Sequence, residues 1–170
     1  HVRTQKTYFM LNNLVTACNM YHQEYKYWPT LTDNPPSSVD FTMQLDSPTN
    51  RPRFVRIMSN HPDGNDVKYN KKGITFFTYS DSDVSSDPAT VTPIDAFGNE
   101  DLYLIFNTDL NHIGQIQPKI VNDVTMQTQG GEDVKLDPQQ SDQHPVQAPC
   151  VALSPGAGGS ALDIVTTWAV

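Results

Sequence analysis

Apolar residues recur at steps of three and four through the first part of the chain, which places them on one face of a helix. They are Met10 or Leu11, then Leu14, Cys18, Tyr21 and Tyr25. The pattern predicts one amphipathic helix over residues 2–27, because Pro29 disfavours helical geometry at the preceding residue. We expect this helix to be held against the rest of the fold by Leu14, Tyr21, Tyr25 and Trp28.

This helix lacks a start signal. No capping Ser, Thr or Asp and no capping box precede the periodic pattern, so the helix is already under way at Val2. We therefore expect the chain to be part of a longer protein whose helix continues toward the N-terminus. No apolar run within these residues reaches the roughly 20 residues that span a bilayer, and none has the form of a signal peptide. A membrane anchor in that longer protein would precede residue 1.

Short apolar runs separated by turn signals follow the helix and favour strands. They comprise residues 74–79, 102–106, 116–121, 150–153 and 164–168. Residues 39–45 fit a short helix or an irregular link, and residues 54–58 fit a short strand or a helix. One long helix followed by short strands predicts a single α+β domain over residues 1–170. In it the helix packs on a small antiparallel sheet formed, with many loops, within residues 39–170.

Composition and charge narrow the function classes. The chain has 11 basic and 19 acidic residues, a formal net charge of −8, and 13 prolines. An acidic chain argues against nucleic-acid binding, which needs a clustered basic footprint. The prolines favour a loop-rich body.

The two cysteines leave two alternatives open. Cys18 lies on the predicted helix and Cys150 at the start of a predicted strand. They either form one disulfide that ties the helix to the C-terminal segment, or remain buried thiols that pack as small apolar side chains. A bridge would require an oxidising compartment.

No enzyme signature is complete. His22 and Glu24 match part of a zinc-deaminase pattern, but Leu153 stands where a second cysteine ligand is needed after Cys150. The glycine-rich residues 156–160 lack the following helix that a phosphate-binding loop requires, so they indicate a flexible turn. The five histidines are not at metal-ligand spacing. We expect the protein not to be an enzyme.

One further turn resembles a calcium loop. Asp109, Asn111 and Gly114 match the start of an EF-hand loop, but Ile120 occupies the position of the bidentate glutamate. This excludes an EF-hand and leaves a looser calcium site or an Asx turn.

Five segments, in order along the chain, resemble those of type II secretion pseudopilins and related type IV pilin-like proteins. They are the helix exit at residues 14–30, NKKGITFF at 70–77, DAFGN at 95–99, FNTD at 106–109 followed by Gly114, and SPG at 154–156 followed by DIVTTW at 163–168. Residues 124–147 have no counterpart in this resemblance and are polar and weakly patterned, so we interpret them as an insertion, either an excursion or a mobile arm.

The resemblance implies a structural subunit rather than a catalyst. Such subunits have a long N-terminal helix wrapped by a small antiparallel sheet, and they assemble through that helix into a pseudopilus or pilus-like filament. The implied partners are other pseudopilin or pilin subunits and the assembly machinery. The implied location is periplasmic or at the cell surface, with an inner-membrane anchor before assembly.

The closing loop departs from the family pattern. Major pseudopilins bind calcium there through clustered acids and main-chain oxygens, but here Gly158 and Leu162 replace acids. Asp163 and Ser160 remain, whereas calcium takes about six to eight oxygen ligands. We therefore expect calcium binding to be weak or absent, and we expect no other cofactor. A disulfide through the nearby Cys150, if it forms, would hold this region instead.

Two other interpretations stay open. The aromatic run Tyr21, Tyr25, Tyr27 and Trp28 supplies stacking area. A surface adhesin or binding module on the same scaffold would use this run, or the acidic insertion, to bind a glycan or a protein. An enzyme of unrecognised type is the third interpretation. A convergent cluster of carboxylates or histidines in a pocket would favour it.

Overall fold

The computed structural model describes residues 1–137 and 144–168. A 24-residue helix, α1 (Val2–Tyr25), packs on a four-stranded antiparallel sheet. This confirms the predicted α+β architecture of a long N-terminal helix on a small antiparallel sheet.

The end of α1 is set by a left-handed residue. Lys26 has a φ of 65°, and its backbone N–H donates a hydrogen bond of 2.8 Å to the carbonyl of His22. This closes the last helical turn and turns the chain away. The helix therefore ends at Tyr25, before the predicted end at residue 27.

The sheet is built from four short strands in the order β1–β2–β5–β6, with every neighbouring pair antiparallel. The strands are β1 (Phe41–Gln44), β2 (Tyr103–Phe106), β5 (Cys150–Ser154) and β6 (Val165–Thr166). Between them lie α2 (Arg53–Met58), α3 (Pro118–Asn122), the hairpin strands β3 (Thr125–Gln127) and β4 (Asp133–Lys135), and the 3₁₀ turns Gly64–Tyr69 and Ala161–Asp163.

Successive side chains of the central strands point to opposite faces of the sheet. Leu104, Phe106 and Ala152 join the core that α1 covers. Ile105 and Val151 join a second core on the other face. Because both faces are covered, β2 and β5 are nearly continuous apolar runs, which is the pattern that identified them as strands.

The second core is covered by α3 and by part of the segment that the sequence marks as an insertion. The β3–β4 hairpin contributes Met126 and Val134, and α3 contributes Val121. Over residues 124–137 this segment is therefore an ordered layer packed on the sheet, and not a mobile arm. Residues 138–143 lie outside the described part of the chain.

Three local predictions are wrong. In each case the pattern of side chains does not specify which backbone groups the segment forms hydrogen bonds with. Residues 74–79 form no strand; the N–H groups of Phe76 and Phe77 both donate to the carbonyl of Met58. In residues 116–121 only Ile116 makes a strand-like bridge, to Val146, after which Pro118 opens α3 as a helix-starting residue. Residues 39–45 contain strand β1 rather than a helix or an irregular link.

Candidate functional site

The buried face of α1 faces the sheet. The side chains of Leu14 and Tyr21 are 1% and 0% exposed. Trp28, just past the helix, is 7% exposed and stacks nearly parallel on Phe106 of β2, with ring centroids 5.4 Å apart. His22 stacks on Trp28 at 4.1 Å, and burial lowers the pKa of His22. The aromatic exit of the helix is thus anchored on the central strand.

Tyr21 and Tyr25 attach the helix to a polar centre that the sequence analysis missed. The hydroxyl of Tyr21 donates to the carbonyl of Tyr69, and burial raises the pKa of Tyr21. The hydroxyl of Tyr25 donates to the Asn70 side-chain oxygen at 2.6 Å and accepts the backbone N–H of Lys72 at 3.0 Å. Both phenols fix the exit of α1 against residues 69–72.

Asn70 is the centre of this arrangement. It is 2% exposed, and its side-chain amide donates to the carbonyls of Ile57 (2.9 Å) and Ile74 (2.8 Å). Its side-chain oxygen accepts the Tyr25 hydroxyl and the Ile74 N–H at 3.1 Å. Two donors and two acceptors are all satisfied. The sequence signal was the NKKGITFF segment, where Asn70 was part of a resemblance without an assigned role.

The turn at residues 95–99 is a second polar junction. Asp95 accepts the N–H groups of Phe97 and Asn99, both at 2.9 Å, and the Asn99 side-chain amide at 2.8 Å. The same amide donates to the carbonyl of Gly156 at 2.7 Å, and the Asn99 oxygen accepts the N–H of Gln129 at 2.8 Å. Burial raises the pKa of Asp95, and its bonds with Asn99 oppose that rise. Asn99 therefore joins this turn to the closing loop and to the hairpin.

The outer face of α1 is apolar at intervals along its length. Val2, Phe9 and Met20, which we call the outer stripe, are 63%, 64% and 45% exposed. Their separations of seven and eleven residues are close to whole numbers of helical turns, so they share one face. Tyr8, 44% exposed, lies edge-to-face with Phe9 at a centroid distance of 6.0 Å. Residues 1–6 are all exposed, so the first turns of α1 bury none of their side chains.

A groove of about 600 Å³ runs beside this face. Arg3, Lys6 and Phe9 line it from α1, and Asp83 and Ile94 line it from the opposite loops. Next to it, the hydroxyl of Thr7 accepts the backbone N–H of Ala96 at 3.0 Å, which ties the helix to the 95–99 turn. The groove carries both charges and apolar surface.

The closing loop offers few ligands for calcium. The hydroxyl of Ser160 accepts the backbone N–H of Leu162 at 3.2 Å and so caps the turn Ala161–Asp163. Asp163 supplies the loop's single carboxylate. One carboxylate beside an engaged hydroxyl is a poor donor set for this cation. Weak or absent calcium binding stays a prediction.

The Asp109 turn has the hydrogen bonds of an Asx turn. Asp109 accepts the N–H of Asn111 at 3.0 Å and a ring nitrogen of His112 at 2.7 Å, and the His112 bond holds the pKa of Asp109 below its usual value. Across residues 1–137 and 144–168, no group of three or more His, Cys, Asp or Glu side chains is placed to hold a metal ion.

Cys18 and Cys150 meet in the core between α1 and β5. They are 0% and 2% exposed, and both are thiols in this structure. Burial, and then the neighbouring Cys150, raise the pKa of Cys18. A bridge between them stays a prediction.

The aromatic run separates into buried and exposed parts. Tyr21 is fully buried, whereas Tyr27 is 44% exposed. Tyr27 borders a cleft of about 350 Å³ together with Trp28, Asp33, Lys68 and Tyr69. Asp33 is already bound there by Lys68 at 3.1 Å and by the Tyr69 hydroxyl at 3.0 Å.

Comparison with known proteins gives no relative that shares these features. Neither family models, nor curated proteins, nor solved structures give a match to this chain. Among the described helices, none combines the length and apolar character that crossing a membrane requires. The fold itself, a helix on an antiparallel sheet, is compatible with a pilin-like protein.

Proposed function

We propose that this chain is a structural subunit of a type II secretion pseudopilus or a type IV pilus-like filament. The observation that carries the proposal is the division of α1. Its inner face holds the sheet through Leu14 and Tyr21, while its outer stripe leaves Val2, Phe9 and Met20 exposed. A helix that both carries a globular body and presents exposed apolar side chains on its outer side suits assembly through that helix.

The fold and the motif resemblance support the proposal and indicate how such subunits would assemble. The pilin-like motif segments at residues 70–77, 95–99 and 154–156 contain the side chains or carbonyls that lock the helix and the loops together. Contacts between subunits would be head-to-tail, because a heterologous interface that does not close generates a helical filament. The partners are other subunits of the same kind and the assembly machinery, at an inner membrane and in the periplasm or on the cell surface.

A cross-linking experiment tests the proposal. A photoreactive amino acid replaces Phe9 in the full-length protein, which is produced in its native host. A matched control carries the same group at Val67, which is also half exposed but lies on the 3₁₀ turn Gly64–Tyr69. We expect position 9 to give a ladder of cross-linked subunits, identified by mass spectrometry, and position 67 to give few. Equal yields at both positions, or products without any pilin-like subunit, would contradict the proposal.

The isolated chain provides an independent check. Without neighbouring subunits to cover the outer stripe, sedimentation should show a monomer or a weakly associating species. A stable closed dimer that buries Phe9 would argue for a different use of this face.

The exposed cleft at Tyr27 favours one alternative, a binding module for a glycan. A half-exposed ring beside polar side chains is a stacking surface of the kind sugars use. Binding on a glycan array that is lost in Tyr27→Ala and kept in Phe9→Ala would support this alternative. An array without specific binding would leave the filament subunit as the proposal.

A further inference from the structure

We propose that Cys18 and Cys150 form an intramolecular disulfide that staples α1 to the central strand β5. The inference does not depend on the proposed function. It rests on the position of the two side chains, which come from distant parts of the chain and meet in one dry core.

The position of the pair favours a bridge within one molecule. Cys18 is flanked on α1 by the buried residues Leu14 and Tyr21, and Cys150 is paired in register with Phe106 of β2. Since both thiols are buried, neither is available to a second molecule. Both cysteines belong to the single apolar core between α1 and the sheet, and Cys150 is a close enough neighbour to contribute to the raised pKa of the Cys18 thiol.

The bridge would close a long loop. The segment between the two cysteines contains strands β1 and β2 and the β3–β4 hairpin. Cross-linking residues far apart in sequence restricts the unfolded chain strongly, and in the entropic description the stabilisation grows with loop length. The staple would therefore keep the helix and the sheet together even when the loops open.

The chemistry is a two-electron oxidation with a disulfide as the oxidant. One thiolate attacks oxidised glutathione to give a mixed disulfide and release one glutathione thiol. The second cysteine then displaces the other glutathione, so the Cys18–Cys150 bond forms. The two cysteines lose two protons and two electrons, and the oxidant gains them as two glutathione thiols. Burial raises the pKa of Cys18, so the reaction belongs to folding, while the thiols are still exposed.

Thiol counting tests the proposal without any mutation. The chain is refolded from denaturant in a glutathione redox buffer, quenched with acid, denatured and alkylated. We expect no alkylated cysteine, a mass lower by two hydrogen atoms than that of the reduced chain, and a proteolytic peptide pair that joins Cys18 to Cys150. The same sample treated with reductant should take up two alkyl groups, because the chain has two cysteines. Two free thiols after oxidative refolding, or a disulfide found only between two chains, would overturn the proposal.

Thermal unfolding gives the second readout. Reduction should lower the Tm of the oxidised chain by roughly 5–15 °C, the range expected when one long-loop disulfide is lost from a domain of this size. The variants Cys18→Ala and Cys150→Ala keep one thiol each, so their Tm should not respond to reductant. An unchanged Tm on reduction of the native chain would also overturn the proposal.

Discussion

At the scale of single residues, two buried amides hold the loops of this protein to its regular elements. Asn70 ties the helix exit to residues 57 and 74, and Asn99 ties its own turn to the closing loop. Such a side chain replaces the backbone pairing that a loop lacks, because its amide offers both donors and acceptors. The loop-rich body is ordered for this reason.

Asn70→Ala should destabilise the protein by about 2–4 kcal/mol. The substitution removes the side-chain donor to the Ile74 carbonyl and the acceptor of the Tyr25 hydroxyl proton, and each polar group left in this way without its bond costs roughly 1–3 kcal/mol. Asn70→Asp should be as harmful, because a carboxylate brings no donor to the carbonyls of Ile57 and Ile74. Urea unfolding measures the change. The control Asn65→Ala, at an exposed position, should stay within about 0.5 kcal/mol of the native protein; a loss at Asn70 no larger than that would refute the assigned role.

Asp109 gives a prediction for acid stability. Its pKa is lowered by the hydrogen bond from His112 and by the Asn111 N–H, so the folded state binds this proton less tightly than the unfolded state. The contribution to stability is therefore present above the ordinary pKa of an aspartate and is lost as pH falls through the lowered value. In His112→Ala the carboxyl pKa, followed by NMR, should rise, and the midpoint of acid unfolding should move to higher pH. His61→Ala, which removes an exposed histidine elsewhere, should leave the Asp109 pKa low. An equal shift of the Asp109 pKa in both variants would show that the hydrogen bond from His112 is not what lowers it.

At the scale of elements, the closing loop depends on one close approach of backbone. Gly156 follows β5 with a φ of +67°, and a Cβ placed on it would lie 1.9 Å from the carbonyl oxygen of Asp163. The chain returns at that contact toward β6, which pairs with the end of β5. A side chain at this point cannot be accommodated without moving backbone.

Gly156→Ala should therefore cost about 3 kcal/mol or more, well above a purely conformational penalty. Gly131→Ala is the matched control, since Gly131 also has a positive φ of 86° but a Cβ there would meet nothing within 4 Å. Gly131→Ala should lower the free energy of unfolding by about 1–2 kcal/mol, which is the penalty for placing an alanine in the left-handed backbone conformation. Denaturant unfolding of the two variants separates the two effects, and equal losses would show that the contact with Asp163 is not limiting.

The elements also show what the sequence could predict. α1, β2 and β5 follow from strong local patterns, because a helical face and a two-sided buried strand each leave a clear signature. Residues 74–79 have strand-like composition, yet two of their backbone N–H groups donate to the carbonyl of Met58 rather than to a neighbouring strand. Composition does not specify that partner. The roles of Asn70 and Asn99 were not predictable for the same reason. Their partners lie 45 residues away at Tyr25 and 57 residues away at Gly156.

At the scale of the whole molecule, one sheet divides two cores. α1 covers one face and the β3–β4 hairpin with α3 covers the other. The strands β2 and β5 contribute alternate side chains to both cores, so neither layer can lose its packing without exposing the strands that the other layer covers. This arrangement predicts that the helix layer and the hairpin layer unfold together.

The two tryptophans are natural probes of that coupling. Trp28 belongs to the core under α1, and Trp168 packs against the core under the hairpin. Trp28→Phe leaves Trp168 as the only tryptophan, and Trp168→Phe leaves Trp28, so the fluorescence of each variant reports on one layer. In each variant the fluorescence transition in urea should coincide with the loss of helical circular dichroism, which comes mainly from α1. Coincident transitions are the mark of two-state unfolding. If Trp168 fluorescence changed at lower urea than the helical signal, the hairpin layer would be a separate unit of stability. The segment 124–137 would then be an addition to the fold rather than part of its cooperative core.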